Sequence, residues 1–282
     1  MPEGPEVKII TEQLNELFEG QNLIDINVFG NSKLHKSIRE IKRDLDLPKK
    51  RYKVVNILNK GKFIYYWLYR NNSDIFLGNN LGLTGHYSVE KHEKSIAEFR
   101  FSSDSIFYED KRHFGKFKLF NLDELNEKLD SIGPDMLFPS IRPYNDKVLS
   151  EDRASEKTFI ERIKVYPNKE IAQVIIDQNV ISGIGNYLKS EILYATKIYP
   201  GTLVKNISDK KLKEMFKNAK KIIRDSYKLG GVSLRDYKDI YGNLGEYIPK
   251  VYGQDEDPKG NPVYRKQFKD KRTTYYVPKY QK

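Results

Sequence analysis

The residue pattern changes character part-way along this chain of 282 residues, and this change restricts the folds it can adopt. Between Asn22 and Phe120, short runs rich in β-branched and aromatic residues are separated by Gly and Asn, which is typical of antiparallel strands joined by turns. From residue 153 onward, apolar residues recur at helical spacing instead, most clearly over Asp209–Leu229. Segregated strands and helices indicate an α+β fold. We predict an N-terminal antiparallel β-sandwich, or a flattened barrel, followed by a helical part.

The individual elements follow from the same periodicities. A leading helix is predicted over Glu6–Phe18, with Gly20 able to end it. The predicted strands are Leu23–Phe29, Tyr52–Leu58, Phe63–Tyr69, Ile75–Asn79, Ala97–Phe101, Ser105–Tyr108 and Lys116–Phe120. The predicted later helices are Ser155–Lys164, Lys169–Gln178, Asn186–Ala195 and Asp209–Leu229. Near the C-terminal end, Val263–Gln267 and Thr273–Pro278 can pair as a hairpin.

Charge is distributed unevenly between the two parts of the chain. Residues 1–152 hold 23 Lys and Arg against 24 Asp and Glu, whereas residues 153–282 hold 27 against 15. The formal net charge of +11 therefore comes entirely from the second part. Such an excess, with Tyr interleaved, is the electrostatic footprint of a nucleic-acid binder, because phosphate neutralisation supplies most sequence-independent affinity. A well-solvated Lys-rich surface has the same composition, so charge alone leaves both interpretations open.

Several classes of protein are excluded by composition. The chain has no Cys, which excludes a disulfide scaffold and a thiolate zinc site. Its four His lie far apart in the sequence, which argues against a metal cluster built from His. We therefore predict no metal ion and no other cofactor. No apolar run approaches the roughly 18 residues that a membrane span requires. The N-terminal MPEGPEVKII lacks the regions of a signal peptide, so we expect an intracellular protein that is not secreted and binds no membrane.

The first six residues contain two prolines and two carboxylates. Removal of Met1 would leave Pro2 as a secondary amine, and an α-amino group with a pKa near ~8 is a better nucleophile at pH 7 than Lys near ~10.4. Such an amine forms an iminium with an aldehyde-level carbon. Glu3 would then protonate a sugar ring oxygen, and Glu6 would orient Glu3 or tune its pKa. An ordinary helix start has similar residues, so this segment alone leaves both explanations open.

Six motifs, including the N-terminal segment just described, bear on the function. They are PEGPE at the N-terminus, NKGKF (Asn59–Phe63), LGLTG (Leu81–Gly85), EDKRHFG (Glu109–Gly115), DQNVISGIGNYLKSEILY (Asp177–Tyr194) and KRTTYYVPKYQK (Lys271–Lys282). In order and spacing, they resemble the formamidopyrimidine/endonuclease VIII family of DNA glycosylases over essentially the whole chain. The resemblance implies a base-excision-repair enzyme that flips an oxidised nucleotide out of duplex DNA. It also implies removal of the base, cleavage of the abasic strand by β- and δ-elimination, and action as a monomer.

The resemblance assigns catalytic roles to four residues. Pro2 matches the family's nucleophile, which attacks C1′, and Glu3 matches the acid for ring opening. Glu6 matches the supporting carboxylate. Lys62 matches the lysine that contacts phosphate and lesion, and an exposed turn lysine is the alternative for it.

Further residues are implied to bind DNA. Asp177–Tyr194 resembles a helix–two-turns–helix element, in which Gly183 and Gly185 let the backbone approach a phosphate and free N–H groups of the next helix face it. Asn186 would donate to the same phosphate.

Three other side chains are expected to fill the gap left by the flipped nucleotide. They are Leu83, Arg112 and Phe114, of which Arg112 would contact the opposite base. A core position is the alternative for Leu83 and for Phe114.

The C-terminal segment departs from the family pattern. Most relatives end in a four-Cys zinc finger, but Val277 and Tyr280 occupy the last two Cys positions here, and the first pair is missing around Asp257–Gly260. The resemblance is to members with a zincless finger, so we predict a metal-free hairpin held by apolar packing. Arg272 matches the hairpin arginine that, with Lys62 and Asn186, contacts phosphates.

The domain organisation and the substrate complete the prediction. The expected units are a catalytic β-sandwich domain (1–134), a linker (135–152), a helical DNA-binding domain (153–246) and a finger (247–282). The loop Gly230–Gly253 resembles the formamidopyrimidine-glycosylase branch, which favours oxidised purines such as formamidopyrimidines and 8-oxoguanine. An endonuclease VIII-like enzyme for oxidised pyrimidines and a non-catalytic damaged-DNA binder remain the alternatives. In each case, the expected partner is double-stranded DNA with oxidised bases or abasic sites.

Overall fold

A computed structural model of the chain describes residues 2–137, 154–234 and 237–282. Its N-terminal part is dominated by antiparallel strands. These are β1 (Asn22–Val28), β2 (Tyr52–Lys60), β3 (Phe63–Arg70), β4 (Ser73–Asn80), β5 (Gly85–Ser88), β6 (Ser95–Phe101), β7 (Ser105–Asp110) and β8 (Lys116–Phe120). They form one sheet in the order β5-β7-β6-β1-β2-β3-β4-β8. The predicted strands are confirmed, and only the four-residue strand β5 was not predicted.

The sheet curls so that its two ends face each other. Phe117 on the edge strand β8 stacks on Phe99 of β6 and meets Tyr108 of β7 edge-on, at ring-centroid distances of 5.6 and 4.9 Å. The Tyr87 hydroxyl of β5 donates to Asn79 Oδ1 of β4 at 3.1 Å. Because side chains from distant strands share one buried interior, the arrangement is the predicted sandwich.

Seven α-helices lie within the described ranges. They are α1 (Gly4–Phe18), α2 (Lys33–Asp44), α3 (Leu122–Ser131), α4 (Glu156–Lys164), α5 (Ile171–Val174), α6 (Asn186–Thr196) and α7 (Asp209–Lys228). The leading helix α1 buries Val7, Ile10, Leu14 and Phe18 at the spacing that predicted it. At its start, the Glu3 backbone N–H donates to the Glu6 side chain three residues on, as in a capping box.

Two helices and one boundary differ from the prediction. Helices α2 and α3 were not predicted, because their buried apolar residues are few and stand among charged ones. The predicted helix Lys169–Gln178 is only Ile171–Val174. Beyond its end, the Gln178 amide donates to the carbonyls of Ile176 and Ile184, at 2.8 and 2.7 Å, and holds this part of the chain in a turn.

The finger hairpin consists of β9 (Tyr264–Gln267) and β10 (Thr273–Tyr276), paired antiparallel. This confirms the predicted hairpin. Most of the predicted linker, namely residues 138–152, lies outside the described residues. Within the described ranges, no helix has both the length and the apolar character that crossing a membrane requires.

Candidate active site

The N-termini of two helices meet at the centre of the molecule. Pro2 is buried just before α1, and the Gly4 N–H of α1 donates to the Gly183 carbonyl at 2.8 Å, in the turn before α6. Gly183 has φ +89°, a left-handed conformation that favours glycine. The sequence therefore brings its first residues against a segment about 180 positions further along the chain.

The Glu3 carboxylate caps the N-terminus of α6. Its oxygens accept the backbone N–H groups of Gly185 at 2.6 Å, Tyr187 at 2.9 Å and Leu188 at 3.3 Å. Amides that the sequence predicted to face a phosphate are thus occupied by a protein carboxylate, which takes the favourable position for an anion at a helix N-terminus. The N–H groups that were predicted to be free at the start of this helix are therefore not free.

Two opposing influences act on Glu3. Complete burial raises its pKa, and Glu6 adds to this effect, whereas Lys62 and the hydrogen bonds from Tyr187 and Gly185 lower it. The net result is a pKa above the ordinary value for Glu. A carboxyl group in this state holds its proton to higher pH than a free Glu, as a general acid requires.

Glu6 connects three elements to Glu3. Its Oε2 accepts the Glu3 backbone N–H at 2.8 Å. Its Oε1 accepts the Tyr187 hydroxyl of α6 at 2.9 Å, the Ser226 hydroxyl of α7 at 3.2 Å and the Val232 N–H at 3.0 Å. Glu6 is therefore a fully hydrogen-bonded buried carboxylate that fixes the geometry around Glu3, and its role as a supporting group in the reaction stays a prediction.

Lys62 reaches the same point from the β2–β3 turn. Its Nζ donates to the Ile184 carbonyl at 3.0 Å, so it is not the freely solvated turn lysine of the alternative. Burial lowers the pKa of Lys62, while the Glu3 carboxylate opposes this and Arg272 reinforces it. A Cβ atom on Gly185 would lie 2.4 Å from both Lys62 Nζ and Glu3 Cδ. Only glycine therefore lets these two groups approach α6.

A cavity of about 340 Å³ opens beside these residues. Among the residues that line it are Pro2, Lys62, Leu83, Gly185 and Arg272. Five of the sequence-predicted residues, from five separate segments, thus border one space between the sheet and the helical part. The Arg272 side chain is exposed, and its guanidinium makes no hydrogen bond within the described ranges.

The three predicted gap-filling residues lie on two adjacent loops. Asp110, at the end of β7, holds the loops together: it accepts the Thr84 hydroxyl at 2.5 Å, the Arg112 N–H at 3.2 Å and the Gly115 N–H at 2.6 Å. Phe114 is 56% exposed, which excludes a core position for its ring. Leu83 is half-buried at the cavity.

The finger hairpin packs along α6. Asn186 Nδ2 donates to the Thr273 carbonyl at 3.0 Å, and Tyr275 N–H donates to Ser190 Oγ at 3.3 Å. Asn186 is therefore tied to the finger, next to Arg272, and its phosphate contact stays a prediction. The predicted aromatic packing is present: the Phe268 and Tyr276 rings both meet the Tyr199 ring at 5.5 Å.

A polar network closes the base of the finger, in a chain that has no Cys. The buried Asp257 carboxylate accepts Asn261 N–H at 2.8 Å, Lys259 N–H at 2.9 Å and the Tyr194 hydroxyl at 3.0 Å. Asn261 Nδ2 donates to Asp257 at 3.0 Å and to the Tyr280 hydroxyl at 3.0 Å. The prediction named packing alone; hydrogen bonds contribute as well.

Comparison with known proteins identifies the family of this chain. The model of the formamidopyrimidine-DNA glycosylase N-terminal domain matches residues 1–117, and the model of the formamidopyrimidine-DNA glycosylase H2TH domain matches residues 147–238. The formamidopyrimidine-DNA glycosylase of Mycoplasmopsis pulmonis is 31% identical over 257 residues, which cover 88% of this chain and 84% of the relative. The chain belongs to the formamidopyrimidine-DNA glycosylase family.

Solved structures of the family share the fold. A mutant of Lactococcus lactis Fpg, in complex with DNA containing Fapy-dG, superposes with a TM-score of 0.81 at 21% identity, over 100% of both chains. Wild-type Lactococcus lactis Fpg in complex with DNA containing an oxidised pyrimidine gives 0.80 at 21% identity, again over 100% of both chains. These likenesses confirm the predicted architecture.

The finger of this family member does not fit a zinc ion. Asp257, Asn261 and Tyr280 direct their polar atoms at one another, and Val277 has no ligand atom. Among the described residues, no three His, Cys, Asp or Glu side chains come together as a possible metal site.

Sequence reasoning missed several residues that support the site. Asp110 joins the two gap-filling loops, Gln178 fixes the turn before α6, and Tyr187 binds Glu6. All three lie within the motifs that carried the resemblance, which was the available signal. Asp110 and Tyr187 also contact distant segments, at Thr84 and Glu6, and a local sequence pattern does not predict such contacts.

Proposed function

We propose that this chain is a base-excision-repair DNA glycosylase with AP lyase activity, and that its substrates are oxidised purines in duplex DNA. The observation that carries the proposal is the single cavity bordered by Pro2, Lys62 and Arg272, with buried Glu3 held beside it on the N-terminus of α6. Family membership supports the same activity.

In the first step, the Pro2 amine, freed by removal of Met1, attacks C1′ of the damaged nucleotide. The C1′–N bond breaks, and the base leaves with the bonding electrons and takes up the proton that the Pro2 nitrogen releases. Glu3 then protonates the sugar ring oxygen, the C1′–O4′ bond opens, and the nitrogen lone pair forms a C=N bond. The product is an iminium that joins Pro2 to the opened sugar.

In the second step, the iminium acidifies the C2′ protons. Loss of one C2′ proton expels the 3′ phosphate, and a further elimination expels the 5′ phosphate. Water then hydrolyses the Schiff base and restores the Pro2 amine. Lys62, whose pKa is lowered by burial, lies close enough to Glu3 to favour its charged form once the proton has been transferred.

DNA binding uses the basic half of the chain. Arg272, Lys62 and Asn186 would contact phosphates beside the extruded nucleotide, while Leu83, Arg112 and Phe114 occupy the gap in the duplex. The exposed ring of Phe114 supports this role, because an exposed aromatic surface is suited to stacking on bases. We propose that the protein acts as a monomer, inside the cell with the DNA.

The preference for purines rests on the loop that follows α7. Val232, at its start, donates its N–H to Glu6 at 3.0 Å. A Cβ atom on Gly231 would lie 2.4 Å from the Tyr237 ring and 3.1 Å from Glu6 Cγ, so Gly231 lies close to both side chains. The loop is thereby attached to the catalytic centre, where backbone N–H groups can meet a flipped base. An oxidised pyrimidine is the second candidate substrate, since the Lactococcus lactis relative was solved with such DNA.

Borohydride trapping tests the proposal. Duplexes with 8-oxoguanine, a formamidopyrimidine, an oxidised pyrimidine or an abasic site are incubated with the protein, borohydride is added, and the cross-linked peptide is mapped. We expect a cross-link at Pro2, with a purine lesion trapped best among the damaged bases. Better trapping with the pyrimidine would support the second candidate.

Two comparisons make the trapping experiment decisive. Pro2→Gly keeps a primary amine and should retain some trapping, whereas protein that still carries Met1 should give none. Trapping by Met1-bearing protein would overturn the assignment of the nucleophile. Tight, salt-sensitive binding without trapping on any lesion would identify a non-catalytic damaged-DNA binder.

A further inference from the structure

A buried ion pair joins the finger hairpin to α6. Lys189 Nζ lies 2.5 Å from Asp270 Oδ2, and the two side chains are only 0% and 2% exposed. Removing one partner of such a pair leaves an uncompensated buried charge, which is strongly unfavourable. Each group therefore fixes the other in place, although neither takes part in the chemistry described above.

Asp270 also holds the backbone of Arg272. Its second oxygen, Oδ1, accepts the Arg272 N–H at 3.1 Å. Lys271, between the two, has φ +57°, and its N–H donates to the Phe268 carbonyl at 2.8 Å. The turn that carries Arg272 is thus built on a carboxylate whose own position is set by a lysine of α6.

One face of α6 contacts the finger hairpin. Asn186, Lys189 and Ser190 lie on one face of the helix, because residues three and four apart are neighbours on the helix surface. All three contact the finger, at Thr273, Asp270 and Tyr275 respectively. The N-terminus of the same helix binds Glu3, so one rigid element sets the position of Arg272 relative to the catalytic acid.

We infer that Lys189 and Asp270 are positioning residues for Arg272, which hold its guanidinium at the cavity for contact with a DNA phosphate. This inference rests on the proposed function, since the phosphate contact of Arg272 belongs to it. The pair supplies, from side chains, a fixed connection between finger and helix in a chain whose finger has no thiolate ligands.

The test compares two substitutions that remove the same charge from the finger. Asp270→Asn breaks the ion pair, whereas the control Asp255→Asn neutralises an acid that is 91% exposed and paired only with Arg265 among the described residues. Both make the finger more positive, so charge alone predicts tighter DNA binding for both. If the ion pair positions Arg272, DNA binding should become weaker for Asp270→Asn and not for Asp255→Asn.

Binding is measured on a duplex with a tetrahydrofuran abasic-site analogue, at several salt concentrations. We expect Asp270→Asn to bind about tenfold more weakly, as for one lost charge-assisted contact. Its salt slope should fall by about one unit, as for Arg272→Ala. Asp255→Asn should bind at least as tightly as the parent. Binding of Asp270→Asn at parental strength, with an unchanged or steeper slope, would overturn the inference.

A second variant separates positioning from folding. Lys189→Met/Asp270→Asn leaves the net charge unchanged and no buried charge unpaired, and thermal unfolding confirms that it folds. It should bind as weakly as Arg272→Ala, and adding Arg272→Ala to it should change little. A full additional loss on adding Arg272→Ala would mean that the pair does not act through Arg272.

The outcome for the proposed function is read separately. The tetrahydrofuran duplex reports binding without chemistry, while borohydride trapping on lesion duplexes reports catalysis. A parent protein that traps no lesion but whose binding depends on Asp270 would overturn the proposed function and leave this inference standing.

Discussion

At the scale of single residues, the position of Glu3 is the most informative feature. Its carboxyl group is fully buried, which raises its pKa, yet it accepts three backbone N–H groups, of which those of Tyr187 and Gly185 lower the pKa in part. This balance suits a group that gives up a proton during the reaction and must then be stable as an anion.

Glu3→Gln should therefore slow base excision by about 10²–10⁴-fold, the usual contribution of a general acid. Because burial raises the pKa of Glu3, its acid form persists above the range of a free Glu, and excision should decline as pH rises through that pKa. Single-turnover excision against pH should lose this limb in Glu3→Gln. The matched control is Glu16→Gln, an exposed glutamate on the same helix; an equal loss there would contradict the assignment.

At the scale of elements, the base of the finger is held by a carboxylate with several donors. Asp257→Ala would leave Tyr194, Asn261 and the Lys259 N–H without their acceptor. We expect the free energy of unfolding at pH 7 to fall by about 2–4 kcal/mol, since buried donors lose their partner. Chemical denaturation of the parent and the variant measures this directly.

The pH dependence gives an independent check on Asp257. Burial alone would raise its pKa, but hydrogen bonds from Asn261, Lys259 and Tyr194 outweigh this and hold the pKa below its ordinary value. The resulting stability is complete above the unfolded-state pKa of about 3.9 and is lost as pH falls through the lower folded-state pKa. The difference between parent and Asp257→Ala should therefore shrink below about pH 4. A difference independent of pH would contradict this explanation.

At the scale of the whole molecule, the sequence predicted elements better than connections. Local periodicity located most strands and helices, and the motifs indicated Pro2, Glu3 and Lys62. Periodicity does not report which distant segments meet, so the capping of α6 by Glu3 was unexpected and its amides were assigned to a phosphate. The contacts of Asp257 and Asp270 were missed for the same reason, because short polar side chains in turns carry no periodic signal.

Because the base of the finger is held by polar side chains and contains no sulfur, the finger should keep its structure under oxidative stress. Oxidants that damage DNA bases also convert thiolates to sulfenic acids and disulfides, which costs a thiolate site its metal. Residues 247–282 contain neither Cys nor Met, so this finger offers hydrogen peroxide no sulfur to attack. We expect peroxide treatment to leave duplex binding unchanged, whereas a relative with a four-Cys finger, treated in parallel, should lose it. The enzyme would then still bind DNA under the oxidising conditions that create its substrates.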